Sequence, residues 1–221
     1  MTNPENESKT VNIDIRKDLF GANENAAALN AEIFKKHGIV AVDIMGSVGT
    51  GKTQLIESLC EHLRGKYRIL MFAGDLATTI DADRVASHGV DTIQINTGTA
   101  CHLDARMIRV ALQKVNLADY QLVFIENVGN LICPAGYSLG VDKKVVVVSV
   151  TEGPYMVRKH PLTIKHADMI IINKIDLVDA LEFDVDALEA DIREVDAKMP
   201  VFRVSSKTGE GIDKFVEALN L

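Results

Sequence analysis

Short apolar runs alternate along the chain with longer stretches in which apolar positions recur at helical spacing. After Gly38, seven such runs follow one another, most of them rich in β-branched residues. They are Ile39–Met45, Tyr67–Ala73, Val90–Ile95, Leu122–Asn127, Val145–Val150, Met169–Asn173 and Val201–Val204. Apolar strands separated by amphipathic helices are typical of a mostly parallel sheet covered on both faces. The pattern predicts a three-layer α/β fold in which ligands bind beyond the carboxyl ends of the strands.

The first 37 residues have a different pattern. Residues 1–10 are polar, which predicts a disordered tail, and residues 11–37 predict a helical extension of the main domain, residues 38–221. Gly21 weakens the middle of this helix and favours a break into two. We expect its apolar stripe to pack on the main domain, and a partner-binding helix is the alternative. The stripe consists of Ile15, Leu19, Ala22, Ala26, Leu29 and Ile33.

Composition narrows the class of protein. The 221 residues are 47% hydrophobic and 25% charged, which is normal for a soluble globular protein. A net charge of -7 without a basic stripe argues against nucleic acid as a partner. The polar N-terminus predicts no signal peptide, and the apolar runs are far shorter than the roughly 20 residues of a membrane-spanning helix. Three cysteines without a disulfide spacing predict a cytoplasmic protein.

A phosphate-binding loop follows the first predicted strand. The segment Gly46–Thr53 fits G-x-x-x-x-G-K-[ST], with a strand before it and a helix after it. Lys52 is expected to reach the β- and γ-phosphates of a nucleotide, and the Thr53 hydroxyl to hold Mg²⁺. The motif predicts the P-loop NTPase fold. Loop residues expected to surround the phosphates are Gly46, Ser47, Val48, Gly49, Thr50 and Gly51.

A second motif selects the base. Asn173, Lys174 and Asp176 follow an apolar strand far downstream in the same strand–helix series. A carboxylate there can accept hydrogen bonds from guanine N1–H and the 2-amino group, whereas adenine lacks that amino group. The segment Ser205, Ser206 and Lys207 follows the last strand, where a backbone amide can reach guanine O6. We therefore expect GTP and GDP as ligands, and Asp176 argues against an ATP-dependent small-molecule kinase.

Acidic residues at predicted strand ends are candidates for binding Mg²⁺ and for positioning the attacking water. Glu126 is followed three residues later by Gly129, whose amide can sense the γ-phosphate. Asp75 ends the second strand, and Asp81 and Asp83 are expected in the loop after it. For a second carboxylate that holds Mg²⁺ or positions water, Asp75 is the first choice and Asp81 the second. Candidate magnesium ligands are Thr53, Asp75, Asp81 and Glu126, and candidate catalytic residues are Lys52, Asp75 and Glu126.

Two cysteines and a histidine form a candidate metal site. Cys101 and His102 lie between a strand and a helix, and Cys133 follows Glu126 by seven residues. Sulfur and imidazole ligands suit Zn²⁺ or Ni²⁺, although three of them are one short of a closed tetrahedral zinc site. A two-fold axis can bring in the ligands of a second copy. Two unrelated buried thiols are the alternative, and Cys60 is expected in the core.

Together these motifs resemble the HypB family of GTPases, which help to insert nickel into [NiFe] hydrogenases. The resemblance depends most on the two cysteine-containing stretches, residues 96–104 and 126–134. It implies a slow GTPase that binds nickel or zinc through Cys101, His102 and Cys133 at a dimer interface. It also implies that GTP favours a homodimer, with other hydrogenase maturation proteins and the hydrogenase large subunit as partners.

Two alternatives and two departures accompany this resemblance. A urease accessory GTPase shares the general plan, but its Cys-Pro-His order does not occur here. A GTP-dependent dimeric metal-binding module with incidental hydrolysis fits the lack of a glutamine beside Gly129. Residues 1–36 contain neither cysteine nor histidine, so the N-terminal metal site of some members is not expected. Ser47 stands where many dimerising relatives have a lysine.

Overall fold

Seven parallel strands form the centre of the computed structural model, which describes residues 15–75 and 80–221. The strands are β1 (Val40–Met45), β2 (Ile69–Asp75), β3 (Asp91–Asn96), β4 (Leu122–Glu126), β5 (Lys143–Ser149), β6 (Met169–Asn173) and β7 (Val201–Val204). Their order across the sheet is β3-β2-β4-β1-β5-β6-β7. All seven predicted strands and the parallel α/β sheet are confirmed. Strand β2 runs two residues beyond its predicted end, because its pairing with β3 continues to Asp75 opposite Asn96.

Helices cover both faces of this sheet. In the described part of the chain they are α1 (Ile15–His37), α2 (Lys52–His62), α3 (Ile80–Ala86), α4 (Ala105–Leu112), α5 (Met156–Lys159), α6 (Pro161–Lys165), α7 (Val178–Leu181), α8 (Val185–Val195) and α9 (Ile212–Leu219). Residues of β4 illustrate the layers, since Phe124 packs with the apolar sides of α2 and α9, whereas Val123 and Ile125 pack with that of α4. Each fully buried large apolar side chain stabilises such a core by roughly 1.5–3 kcal/mol.

Helix α1 is continuous from Ile15 to His37, so the predicted break at Gly21 is wrong. Glycine costs only about 1 kcal/mol relative to alanine in a helix, and packing of the helix against the domain outweighs this cost. Packing on the main domain is confirmed, since Phe34 is buried in the core beside α4. The predicted stripe is wrong at Ala22 and Leu29, which are exposed.

Two asparagines lie on the face of α1 that contacts the domain. Asn23 accepts a hydrogen bond from Ala105 N (2.9 Å) and donates one to Ser138 O (2.9 Å). Asn30 Nδ2 donates to Ala105 O (2.8 Å) and to Leu139 O (3.1 Å). The helix therefore joins the start of α4 to the segment that precedes β5.

The expected disordered tail, residues 1–10, lies outside the described residues, as do residues 11–14 of the predicted helical extension. No helix in the described ranges combines the length and the apolar character needed to cross a membrane.

We predict that Asn30→Ala lowers the free energy of unfolding by about 1–3 kcal/mol, because two buried carbonyl groups lose their donor. Urea unfolding of the variant measures this loss. Glu32→Ala, at an exposed position of the same helix, is the control and should change stability little. Equal unfolding midpoints for Asn30→Ala and the wild type would show that Asn30 does not anchor α1.

Candidate functional site

The phosphate loop lies between β1 and α2, as predicted. Gly49 and Gly51 have φ angles of 84° and 92°, in the left-handed region that favours glycine. A Cβ atom at Gly46 would lie 2.6 Å from a backbone oxygen of β5, and one at Gly51 would lie 2.7 Å from the Asn173 side chain. These glycines allow the loop to lie close to its neighbours, with its amides at the N-terminus of α2, where anions bind favourably.

Lys52, Thr53 and Glu126 meet beneath this loop. Lys52 Nζ donates to Gly46 O and Ser47 O, each at 3.1 Å. Thr53 Oγ1 donates to Glu126 Oε1 (2.8 Å), whereas Glu126 Oε2 is buried without a hydrogen-bond partner among the described residues. A buried, unpaired carboxylate oxygen beside a threonine hydroxyl suits a hard divalent cation, so these residues fit Mg²⁺.

Burial shifts the pKa values of Glu126 and Lys52. It raises the pKa of Glu126 to about 7, against the attraction of Lys52 and the hydrogen bond from Thr53. Burial likewise lowers the pKa of Lys52, and the negative charge of Glu126 opposes this shift. Desolvation thus disfavours the charged form of both side chains, and a cation or phosphate that pairs with them relieves part of that penalty.

The two further candidate carboxylates line the same pocket of about 520 Å³ as Lys52 and Glu126. Asp75 is the last residue of β2, and its carbonyl group accepts from Thr97 N (2.9 Å). Asp81 Oδ1 lies 3.5 Å from Arg84 Nη1. The prediction of a loop for Asp81 and Asp83 is wrong, because both lie in the first turn of α3. Two effects favour a helix here. The helix dipole favours acidic residues at the N-terminus, and apolar residues of α3 pack against the core.

Asn173 joins the base motif to the phosphate loop. Its Nδ2 donates to Thr50 O (2.9 Å), while its Oδ1 accepts from Ser206 N (3.1 Å) and Ser206 Oγ (2.9 Å). Lys174 Nζ donates to Gly49 O (2.5 Å), so a second residue of the motif reaches the loop. The structure thereby brings together segments that the sequence analysis linked only by their order.

Asp176 lies beside the segment after β7. Its Oδ1 accepts from Ser205 Oγ (2.6 Å), the residue that precedes Ser206 and Lys207 in the chain. Lys207 is exposed, whereas Ser205 and Ser206 are buried. The predicted base-binding residues thus occupy one corner of the sheet, where β6 and β7 end.

The cysteine segments also approach each other. Cys101 Sγ lies 3.6 Å from His102 Nδ1, and a hydrogen bond with Cys133 raises the pKa of Cys101, with burial adding to the shift. The His102 ring packs on Tyr137 at a centroid distance of 4.1 Å, and burial lowers the pKa of this histidine. Cys60 is buried in the core as expected. Within residues 15–75 and 80–221, no group of three or more His, Cys, Asp or Glu side chains is arranged to hold a metal ion.

Sequence reasoning missed a buried pair next to Glu126. Asn127 Oδ1 accepts from Leu103 N (3.0 Å) and Val128 N (3.1 Å), and its Nδ2 donates to Asp43 Oδ1 (3.2 Å). Burial raises the pKa of Asp43 to about 6, against the Asn127 hydrogen bond and the charge of Lys144. The signal in the sequence was a lone aspartate in an otherwise apolar strand, since a buried carboxylate requires a partner.

Comparison with known proteins places the chain in a family. It matches the nucleotide-binding domain of the CobW/HypB/UreG family over residues 40–203. A probable hydrogenase maturation factor HypB from Methanocaldococcus jannaschii is 47% identical over 205 residues, which is 93% of each chain. The chain belongs to the HypB family. The resemblance inferred from the sequence motifs is confirmed.

Solved HypB structures have the same fold. The crystal structure of HypB from Archaeoglobus fulgidus superposes with a TM-score of 0.84 and 40% identity, covering 90% of this chain and 98% of that one. HypB from Helicobacter pylori in complex with nickel gives a TM-score of 0.85 and 36% identity, covering 90% and 94%. The predicted P-loop NTPase architecture with an N-terminal helical extension is confirmed.

We predict that Asp43 makes the folded state less stable as the pH rises. Because its pKa is raised from 3.8 to about 6, the folded protein binds this proton more tightly than the unfolded chain. The free energy of unfolding should therefore fall between about pH 4 and pH 6, by up to about 3 kcal/mol from this group. Asp43→Asn removes this contribution, so its stability relative to the wild type should rise with pH.

Urea unfolding at pH 4 and pH 7.5 measures the difference between variant and wild type at each pH. Asp179→Asn, at an exposed position, is the matched control and should show the same difference at both values. A difference for Asp43→Asn that does not change with pH would contradict the prediction.

Proposed function

We propose that this protein hydrolyses GTP and couples the nucleotide cycle to the delivery of nickel during [NiFe]-hydrogenase maturation. The observation that carries the proposal is the short connection from Glu126, hydrogen-bonded to Thr53 of the phosphate loop, to Cys133 beside Cys101. A movement of the phosphate loop can therefore pass through Glu126 along one short segment of chain to Cys133 and its neighbour Cys101.

The phosphate loop provides the hydrolytic part of the proposal. Loop amides and Lys52 bind the β- and γ-phosphates, and Thr53 and Glu126 would hold Mg²⁺. Mg²⁺ supplies charge neutralisation on the phosphate oxygens. Asp75 or Asp81, both lining this pocket, positions the attacking water. The water oxygen forms a bond to the γ-phosphorus as the bond to the β–γ bridging oxygen breaks, and GDP, phosphate and the proton lost by the water leave. No glutamine follows Gly129, which fits slow turnover.

Nickel is the proposed cargo, and zinc is the alternative metal. The Helicobacter pylori relative was crystallised with nickel, and thiolate and imidazole ligands suit this ion. Cys101 lies beside both His102 and Cys133, yet the described part of one chain does not arrange three ligands. A GTP-favoured homodimer would supply a second set across a two-fold axis. Other maturation proteins and the hydrogenase large subunit, in the cytoplasm, are the proposed partners.

We predict that Asp176→Asn exchanges the base specificity. The amide offers a donor where guanine N1–H and the 2-amino group need an acceptor, whereas xanthine carries an oxygen at C2. GTP affinity should fall about 10- to 150-fold, the loss expected for a hydrogen bond to a charged group, and XTP affinity should rise. Calorimetric titration with both nucleotides measures this. Asp179→Asn is the control, and a retained GTP preference in Asp176→Asn would show that Asp176 does not read the base.

We predict that metal affinity depends on the nucleotide. Full-length protein should bind Ni²⁺ with dissociation constants that differ about 5- to 150-fold between GDP and a non-hydrolysable GTP analogue, a typical range for coupled sites. Cys101→Ser and Cys133→Ser should abolish this binding and leave GTP binding intact. Cys60→Ser, which changes a buried core thiol, is the control and should bind metal normally.

Two results of these titrations would contradict the proposal. Full metal binding by both Cys101→Ser and Cys133→Ser would reject the metal site itself. Equal metal affinities of the wild type in the two nucleotide states would reject the coupling, even if the metal site is correct.

A further inference from the structure

Asn127 lies between the nucleotide site and the cysteine segments. It follows Glu126 directly, precedes Gly129 by two residues and is 2% exposed. Its side-chain oxygen accepts from two backbone amides, Leu103 N and Val128 N, and its amide nitrogen donates to Asp43 of β1. One side chain thus joins three segments that are distant in sequence.

The bond to Leu103 fixes the segment that carries Cys101 and His102. Leu103 is fully buried, and a Cβ atom at Gly74 would lie 2.7 Å from its side chain. The segment after His102 is therefore packed on the end of β2 and hydrogen-bonded to the end of β4. A shift of Asn127 has to carry the Leu103 amide with it or leave that amide without its partner.

Residues on either side of Asn127 are in contact with the phosphate loop. Glu126 accepts from Thr53, and a Cβ atom at Gly129 would lie 2.5 Å from the Val48 side chain. The segment 126–129 consequently touches the loop at both of its ends. Any nucleotide-dependent movement of this segment displaces the residue between those contacts.

We propose that Asn127 is the positioning residue that transmits the nucleotide state to the metal site. By holding the amides of Leu103 and Val128 together, it couples the position of the segment 126–129 to the spacing between Cys101 and Cys133. Asp43 limits the movement, because it ties the Asn127 side chain to the central strand β1. This inference rests on the proposed function, since it requires metal affinity to depend on the nucleotide.

Helix α1 provides a matched control for a purely structural role. Asn23 is a buried asparagine that also bridges two segments, with hydrogen bonds to Ala105 N and Ser138 O. Ala105 follows Cys101 and Ser138 follows Cys133 within a few residues. Two partners of Asn127, Leu103 and Val128, lie near the same cysteines in the chain. Asn23 thus supports the cysteine segments from the side of α1, whereas Asn127 joins them to the nucleotide segment.

The experiment compares the ratio of Ni²⁺ dissociation constants measured with GDP and with a non-hydrolysable GTP analogue, using the full chain. The wild type should give a ratio of about 5 to 150. Asn127→Ala should bring this ratio to within about twofold of one. Asn23→Ala should weaken metal binding equally in both nucleotide states and keep the ratio, because a structural role does not distinguish between the states.

A reciprocal exchange tests the same contacts by rescue. In the double variant Asp43→Asn/Asn127→Asp, residue 127 keeps acceptor oxygens for Leu103 N and Val128 N, and residue 43 becomes the donor. The charge of the pair is unchanged. This variant should recover most of the wild-type ratio, whereas Asn127→Asp alone, with two adjacent carboxylates, should not.

Each result decides a different question. A wild-type ratio in Asn127→Ala overturns the inference and leaves the proposed function intact. If the wild type binds Ni²⁺ equally tightly with GDP and with the GTP analogue, both the inference and the proposed coupling are overturned. If Asn127→Ala does not fold, as judged by thermal unfolding and GDP binding, Asn127→Ser takes its place, since its side chain is polar but too short to bridge both amides. A wild-type ratio in that variant also overturns the inference.

Discussion

A carboxylate buried at the end of β4 is the constraint on which the site depends. Glu126 is held by Thr53 on one oxygen, while the other has no partner among the described residues. A charge in this position is stable only if a cation or strong donors approach it. The phosphate loop and Lys52 lie where they can bring an ion and its phosphates to this oxygen.

The parallel sheet explains how so many groups reach that place. All strands point in one direction, so their carboxyl ends share an edge, and each loop leaving that edge contributes side chains. Asp75, Glu126 and Asn173 each terminate a strand, Asp176 lies three residues after β6, and Ser205 directly follows β7. Asn173 donates a hydrogen bond to Thr50 and accepts one from Ser206, and these bonds fix three of the loops relative to one another.

Local patterns allowed the strands, the phosphate loop and the base motif to be predicted from the sequence. Their signals are apolar runs and fixed spacings within a few residues, which tertiary contacts do not override. The predictions that failed concern residues whose burial depends on contacts distant in the chain. Hydrophobicity assigned Leu29 to the buried face of α1, whereas the buried positions include Asn23 and Asn30. A buried asparagine is recognised only through partners far away in the chain, which also hid Asn127.

The two thiols of the cysteine segments are neighbours in space but are separated in the chain by α4 and β4. Only the folded sheet brings them together, so the unfolded chain has no comparable site. An ion that binds both thiols therefore binds the native state selectively, and by mass action it adds to the free energy of unfolding as its concentration exceeds its dissociation constant. At the proposed metal site, metal binding and conformational stability are thus two measures of one equilibrium, and the metal-free protein is the less stable form.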